Sequence, residues 1–174
     1  MIEIYLTQNK VALIDDEDWE LISQYKWYAE KQQNSSEMWY AKTNKPKSIR
    51  MHRLIIDAQN GEEVDHINHN GLDNRRNNLR IATKSENAIN NRKRKKTTSK
   101  YKGVSWDKKQ NKWHAYIHIN GKKIHIGSFE DEILAAKAYD VKSLSLHKEF
   151  SNPNFREKVR ETLLAITESQ EGNT

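Results

Sequence analysis

Apolar residues fall on every second position at the start of the chain. Ile2, Ile4 and Leu6 form one run and Val11 and Leu13 another, with Gln8-Asn9-Lys10 between them. A period of two broken by polar residues predicts a β-hairpin. Asp15 or Asp16 then stands at the cap position of a short helix whose apolar side carries Trp19, Leu21, Ile22 and Tyr25. Trp39-Tyr40-Ala41 predicts another strand. Met51-His52-Arg53-Leu54-Ile55-Ile56 predicts another buried element. The aromatics of residues 1–60 read as core.

The period returns after residue 100. Trp113, Ala115, Ile117 and Ile119 share one face of a strand, and His114, Tyr116 and His118 share the other. Asn120-Gly121 is a hairpin turn signal. Lys123 and His125 then alternate with Ile124 and Ile126. Ser128 with Asp131 three residues on predicts a capped helix bearing Leu134, Ala135, Ala138, Val141 and Leu144. A final helix is expected from a cap at Asn154, with Glu157 in its first turn, through Val159, Leu163 and Ile166. No internal repeat interrupts this order.

Composition narrows the picture. The 174 residues are 35% hydrophobic and 31% charged, too lean for one large core and better suited to two or three small units. The net charge of +6 favours a polyanionic partner. No apolar run approaches the ~20 residues of a membrane span, and MIEIYLTQNK lacks the features of a signal peptide. An intracellular protein with no membrane association is expected. There is no cysteine, which excludes disulfides and Cys-ligated zinc, so any metal must be held by oxygen or imidazole.

Residues 92–100 hold Arg92, Lys93, Arg94, Lys95, Lys96 and Lys100 and no acid. Such a run repels itself and packs nothing, so it is expected to be an extended linker. Between two structured units it suits a tether that tracks DNA phosphates.

The densest chemistry lies over residues 61–91. Val64 ends a short strand and sets Asp65 and His66 at its exit. A loop rich in Asn, Gly and Asp follows, then Leu79-Arg80-Ile81-Ala82 as a return strand. Thr83-Lys84-Ser85-Glu86 is a capping box, which starts a helix with Asn87 in its first turn. This strand, loop, strand, helix unit can close Asp65, His66 and Asn87 around one point. A carboxylate and an amide oxygen suit Mg²⁺, or Mn²⁺, with waters and substrate phosphate oxygens filling the remaining positions. A neighbouring histidine can take a proton from water near neutral pH. Arg75, Arg76 and Arg80 around the site, and Arg53 before it, read as phosphate contacts. His52 reads as packing, and His69 as a loop or substrate-side residue.

The segment resembles the HNH (ββα-metal) nuclease motif of phage and intron-encoded homing endonucleases. The resemblance rests on Met51-His52-Arg53-Leu54 and on Val64 to Asn87, with Asp65-His66, Asn78-Leu79-Arg80 and Asn87 in register. It implies His66 as general base and Asp65 as metal ligand. It also implies Asn78 as the middle asparagine that braces the loop and orients the base. Asn87 would be the second ligand, where many relatives carry histidine, and Asn91 could assist one helical turn on.

Tyr101-Lys102-Gly103-Val104, Trp113-His114-Ala115-Tyr116-Ile117, Ile126-Gly127-Ser128-Phe129 and Ala135-Ala136-Lys137-Ala138-Tyr139-Asp140 resemble the ethylene-response-factor (APETALA-type) DNA-binding domain. That resemblance implies a three-stranded antiparallel sheet lying in the DNA major groove with a helix packed behind it. It implies DNA contacts by Lys102, Ser105, Asp107, Tyr116, His118, Lys123 and His125. Several of these stand where the plant domains carry Arg or Trp, so the GC-rich plant target does not carry over.

The expectation is therefore an α+β chain. Residues 1–91 would form a nuclease domain with a ββα-metal core at 61–91, and 92–100 a basic linker. Residues 101–155 would form a DNA-reading domain, and 156–174 a C-terminal helix and tail. The resemblance implies a site-specific endonuclease of the homing type acting on double-stranded DNA. It would leave 3′-hydroxyl and 5′-phosphate ends and work as a monomer or homodimer without an obligatory protein partner. The rival is a DNA-binding transcriptional regulator with an inert nuclease unit.

Overall fold

The alternation at the N-terminus closes into a hairpin, β1 (Ile2–Tyr5) and β2 (Val11–Ile14), with Ile2 opposite Ile14 and Ile4 opposite Ala12. A computed structural model of the chain describes residues 1–33, 37–90, 98–119 and 121–156. The chain divides into two units, Met1–Ala88 and Ile89–Thr174. Both mix small antiparallel sheets with few helices, an α+β architecture.

In the first unit the hairpin buries Ala12 and Ile14 rather than Val11 and Leu13. The register decides this, because Ala12 and Ile14 share a face with Ile2 and Ile4. The short helix α1 (Trp19–Ile22) buries Ile22 and leaves Trp19 half exposed. Neither Asp15 nor Asp16 caps it with a side-chain bond. Asp15 Oδ2 instead accepts from the Arg76 backbone N–H at 2.8 Å, and Asp16 pairs with the N-terminal ammonium.

A three-stranded sheet follows, β3 (Tyr28–Lys31), β4 (Trp39–Thr43) and β5 (Ile49–Arg50), with β4 in the middle. It leads into α2 (Met51–Ile55), which buries Met51, His52 and Ile55. Ala12, Ile14, Ile22, Ala41, Met51, Ile55 and Leu79 form the core of the unit. Strand β6 (Glu63–His66) pairs with β7 (Leu79–Ala82), Asp65 opposite Arg80 and His66 opposite Leu79. Helix α3 (Lys84–Asn90) begins at the expected capping box. Glu86 Oε2 accepts from Thr83 N at 2.8 Å, and Thr83 Oγ1 accepts from Glu86 N at 3.2 Å.

The second unit holds β8 (Val104–Asp107), β9 (Lys112–Ile119) and β10 (Lys122–Phe129), with β9 central, and α4 (Glu132–His147) across them. Lys122 stands opposite Ile119, as a tight hairpin requires. A bulge at Ile126 shifts the register, so Gly127, not Ile126, faces Ala115. Asp131, rather than Ser128, caps α4, its carboxylate accepting from Leu134 N at 2.8 Å. Ser128 still belongs to β10. The helix buries Ala135, Ala136, Tyr139, Asp140 and Ser143, while Leu134 and Val141 face solvent. Two alanines and a serine let the helix lie close to the sheet. Gly103, at φ +76°, sits where any Cβ would collide with the Tyr139 ring.

One expectation changes at the edge of this unit. Ser99 is buried, and its hydroxyl donates to Glu132 Oε1 at 2.7 Å, so the end of the basic run packs against α4 instead of staying extended. Asn154 is bonded to the start of the unit and to α4. Its Oδ1 accepts from Lys102 N at 2.7 Å and its Nδ2 donates to Asp140 Oδ1 at 3.0 Å. The final helix expected through Val159, Leu163 and Ile166 lies outside the described residues.

Candidate active site

The loop between β6 and β7 holds itself together through its own amides. Asn68 Oδ1 accepts from Asn70 N at 2.8 Å, and Asn70 Oδ1 accepts from Leu72 N at 3.1 Å. Asn78 closes the loop. Its Oδ1 accepts from Asn68 N at 3.0 Å, and its Nδ2 donates to Asp73 O at 2.7 Å and to Asn68 Oδ1 at 3.0 Å. Asn78 thus braces the loop. The side chain bonded to the histidine at the end of β6 is a different one.

That side chain is Asn74, fully buried, whose Oδ1 lies 3.3 Å from His66 Nε2. Its backbone ties it to the first hairpin, because Asn74 N donates to Leu13 O at 2.8 Å. The region before residue 60 supplies the rest of the His66 environment. Tyr40 from β4 lies 5.9 Å from the His66 ring centre. His52 from α2 lies 4.9 Å away, its ring at 87°. Tyr40 and His52 also meet edge to face at 5.3 Å, and the Arg50 guanidinium covers Tyr40 at 4.3 Å. Burial lowers the His66 pKa. The Asn74 bond and the charges of Asp65 and Asp73 oppose that, and Arg50 adds to it. Burial drives His52 down further, with His66, Arg50 and Arg53 acting the same way. Burial thus favours the neutral form of both imidazoles. Tyr40, read from sequence as plain core, is part of this wall.

Asp65 is buried and bonded to Arg80. Arg80 Nη2 and Nε both donate to Asp65 Oδ2, at 2.5 and 2.8 Å. The cross-strand register sets this pair. Asn87 reaches back from α3 and donates weakly to Glu63 Oε2 at 3.4 Å. Strand alternation turns Glu63 and Asp65 to the same face of β6, so the asparagine amide and the aspartate lie on one side of the hairpin. Glu63 is a neighbour that the sequence did not single out. Among the described residues no three His, Cys, Asp or Glu side chains cluster closely enough to cage a metal. One carboxylate and one amide oxygen, with further positions left to water and phosphate, fit a hard divalent cation that stays partly hydrated.

The arginines expected on phosphate have partners within the protein. Arg53 donates to the carbonyls of Glu62, Ala58 and Gln59, which fixes the turn after α2. Arg75 grips Asp73 with two bonds, and Arg76 grips the buried Asp18 and touches Glu17. The Arg75 and Arg76 side chains remain substantially exposed, and Arg80 is largely covered. Arg92, Lys93, Arg94, Lys95 and Lys96, and also Asn91, lie outside the described residues.

In the second unit Ser105, Tyr116, His118, Lys123 and His125 occupy the sheet face away from α4. The Lys123 ammonium stands 3.6 Å from the Tyr116 ring centre. His114 shares that face but is buried there, bonded to Tyr116 Oη at 2.8 Å and to Gln110 Oε1 at 3.2 Å. Asp107 is occupied by its own turn, accepting from Lys109 N and Gln110 N. Lys102 is drawn inward. Its ammonium donates to the Ile89 carbonyl, and burial, helped by Arg156, pulls its pKa down to about 8. Lys100 stands over the Tyr101 ring at 5.2 Å.

A β-hairpin, a braced loop and a helix that together present aspartate, a neutral histidine and an asparagine define a ββα-type nuclease unit. The family model of the HNH endonucleases matches residues 50–89. An uncharacterized HNH endonuclease, L560, of Acanthamoeba polyphaga mimivirus is 33% identical over 149 residues, 82% of this chain and 74% of that protein. Protein 3.8 of Escherichia phage T7 is 32% identical over 110 residues, 60% of this chain and 90% of the phage protein. The chain belongs to the HNH endonuclease family and is a nuclease that hydrolyses DNA. A plant protein is also similar. The AP2/ERF and B3 domain-containing transcription factor RAV1 of Arabidopsis thaliana is 32% identical over 77 residues, 44% of this chain and 22% of the plant protein. No solved structure matches the chain. No helix among the described residues is long and apolar enough to cross a membrane.

Proposed function

We propose that the chain is a site-specific endonuclease of the homing type, in which the first unit cuts double-stranded DNA and the second reads it. The observation that carries this reading is the end of β6. Asp65 and Asn87 lie on one side of it, and a buried, neutral His66 closes it on the other.

His66 acts as general base in this reading. It takes a proton from a water molecule whose oxygen bonds to phosphorus as the bond to the 3′-oxygen breaks. The 3′-oxygen leaves as a hydroxyl after protonation from solvent, and the phosphate stays on the 5′ end. A positioned base is worth roughly 10²–10⁴ in rate. Asp65 and Asn87 would hold a divalent cation, Mg²⁺ or Mn²⁺, which supplies charge stabilisation to the phosphate and the leaving oxygen when bound. To hold it, Asp65 would give up part of its Arg80 contact.

The sheet face bearing Ser105, Tyr116, His118, Lys123 and His125 is proposed to lie in the major groove, as the AP2/ERF likeness suggests. Lys102 and Asp107 are proposed to support that face from within rather than to touch bases. Arg75, Arg76 and the basic run from Arg92 to Lys100 supply phosphate contacts, and Arg53 has a structural part. Tethering the two activities raises the local concentration of the cutter near the site that is read. A protein of this kind would act inside a bacterial or phage-infected cell, as a monomer that nicks or a homodimer that cuts both strands.

His66→Ala tests the assignment on supercoiled plasmid with Mg²⁺ or Mn²⁺. Cleavage by the variant is expected to be lost while DNA binding is kept. Equal loss of both would remove His66 from the chemical step. Tight DNA binding by the wild type without nicking under any divalent ion would instead favour a transcriptional regulator.

A further inference from the structure

We infer that Asn74 is the positioning residue that sets the tautomer of His66, and so decides which ring nitrogen takes the proton. The inference rests on the proposed role of His66 as base. The Asn74 amide is held at its far end. Its Nδ2 donates to Leu72 O at 3.2 Å and to Met51 Sδ at 3.4 Å. A backbone carbonyl and a thioether can only accept. Turning the amide over would set its oxygen against a carbonyl oxygen in a fully buried place, so its orientation is fixed by its partners and Oδ1 must face His66.

The amide oxygen is an acceptor, so the nitrogen opposite it, His66 Nε2 at 3.3 Å, carries the hydrogen. In a neutral imidazole the other nitrogen then holds the lone pair. Nδ1 is therefore the basic atom. The ring has little freedom to turn otherwise, with Tyr40 and His52 packed against it at 5.9 and 4.9 Å. Asn74 itself is held from outside the motif. Its N–H is bonded to Leu13 O, and Leu13 N to Leu72 O, both at 2.8 Å. Met51 comes from α2. The first hairpin and α2 thus hold the amide that holds the base. Asn78, the middle asparagine of the motif, spends its amide on the loop, bonding Asn68 and the Asp73 carbonyl.

The test reads the tautomer directly. Long-range proton–nitrogen correlation spectra of the ¹⁵N-labelled full chain near pH 7.5 distinguish Nε2–H from Nδ1–H histidines. The His66 signals are those missing from His66→Gln. The wild type is expected to show His66 as the Nε2–H form, and the opposite tautomer overturns the inference without any variant being needed. Asn74→Ala is expected to mix the tautomers and lower kcat about 10- to 100-fold, with KM for DNA unchanged. An Asn74→Ala protein that folds with wild-type spectrum and kcat also overturns it. A wild type with the expected tautomer whose His66→Ala variant still cuts would instead count against His66 as base and leave the Asn74 assignment standing.

Discussion

The rings of His52 and His66 stand at 87° to each other with centres 4.9 Å apart, and both are buried. His52 Nδ1 is the one buried side-chain polar atom among the described residues that has no hydrogen-bond partner. Two imidazoles this close cannot both be charged without repulsion, and burial weakens the solvation that would compensate. The pair is stable only while neutral.

Acid sensitivity of the first unit follows. Both pKa values lie below the ordinary 6.5 in the folded state. Above that value neither the folded nor the unfolded chain is protonated here, and this contribution to stability does not change with pH. As pH falls through 6.5 the unfolded chain takes up protons that the folded chain refuses, so stability drops until the lowered folded values are reached. Melting temperatures from pH 8 to pH 5 are expected to fall, and His52→Phe is expected to flatten the curve. A variant with the wild-type slope would free His52 of this role.

The same lowering bears on catalysis. A base whose pKa lies below 6.5 stays neutral in mildly acidic solution, so the acid limb of kcat/KM is expected to lie below pH 6.5. Single-turnover cleavage measured from pH 4.5 to 8 at fixed ionic strength checks it. A limb above 6.5 would mean that the negative charges around His66 outweigh its burial.

Arg80 shields Asp65 in the absence of an ion. Removing it strands a buried carboxylate, and breaking such a pair costs roughly 3 kcal/mol. Arg80→Met is expected to destabilise the metal-free protein by about that amount. Mn²⁺ is expected to raise the melting temperature of the variant more than that of the wild type, since the ion then meets an uncompensated charge. Equal shifts in the two proteins would place the ion away from Asp65.

Gly103 is expected to tolerate no side chain. A methyl group there strikes the Tyr139 ring, and φ is +76°. Gly103→Ala is expected to cost at least about 1–3 kcal/mol and to loosen α4 from the sheet. Faster hydrogen exchange in 98–156, with residues 1–88 unchanged, is the result to look for in the full-length protein.

DNA affinity is expected to fall steeply with salt, because the proposed contacts from the basic run are to phosphate. Replacing Arg92, Lys93, Arg94, Lys95 and Lys96 with glutamine is expected to lower the slope of log K against log salt by about four. An unchanged slope would free the run of phosphate contact.

The sequence by itself determined much of this protein. Alternation located the first hairpin and the strands of the second unit, and Thr83 with Glu86 located the start of α3. Asp65, His66 and Asn87 could be read from their order around a strand exit and a cap, because local hydrogen bonding and period dictate those elements. Tertiary structure alone decided the rest. Strand register, not the identity of the apolar residues, chose Ala12 and Ile14 over Val11 and Leu13 for the core. Close packing on the sheet turned Leu134 and Val141 outward and Ala135 and Ala136 inward. Asn74 could not be told from the other loop asparagines, because its role depends on Met51, Leu13 and Leu72 converging on one buried amide. Such convergence is a property of how distant segments pack, and no local pattern encodes it.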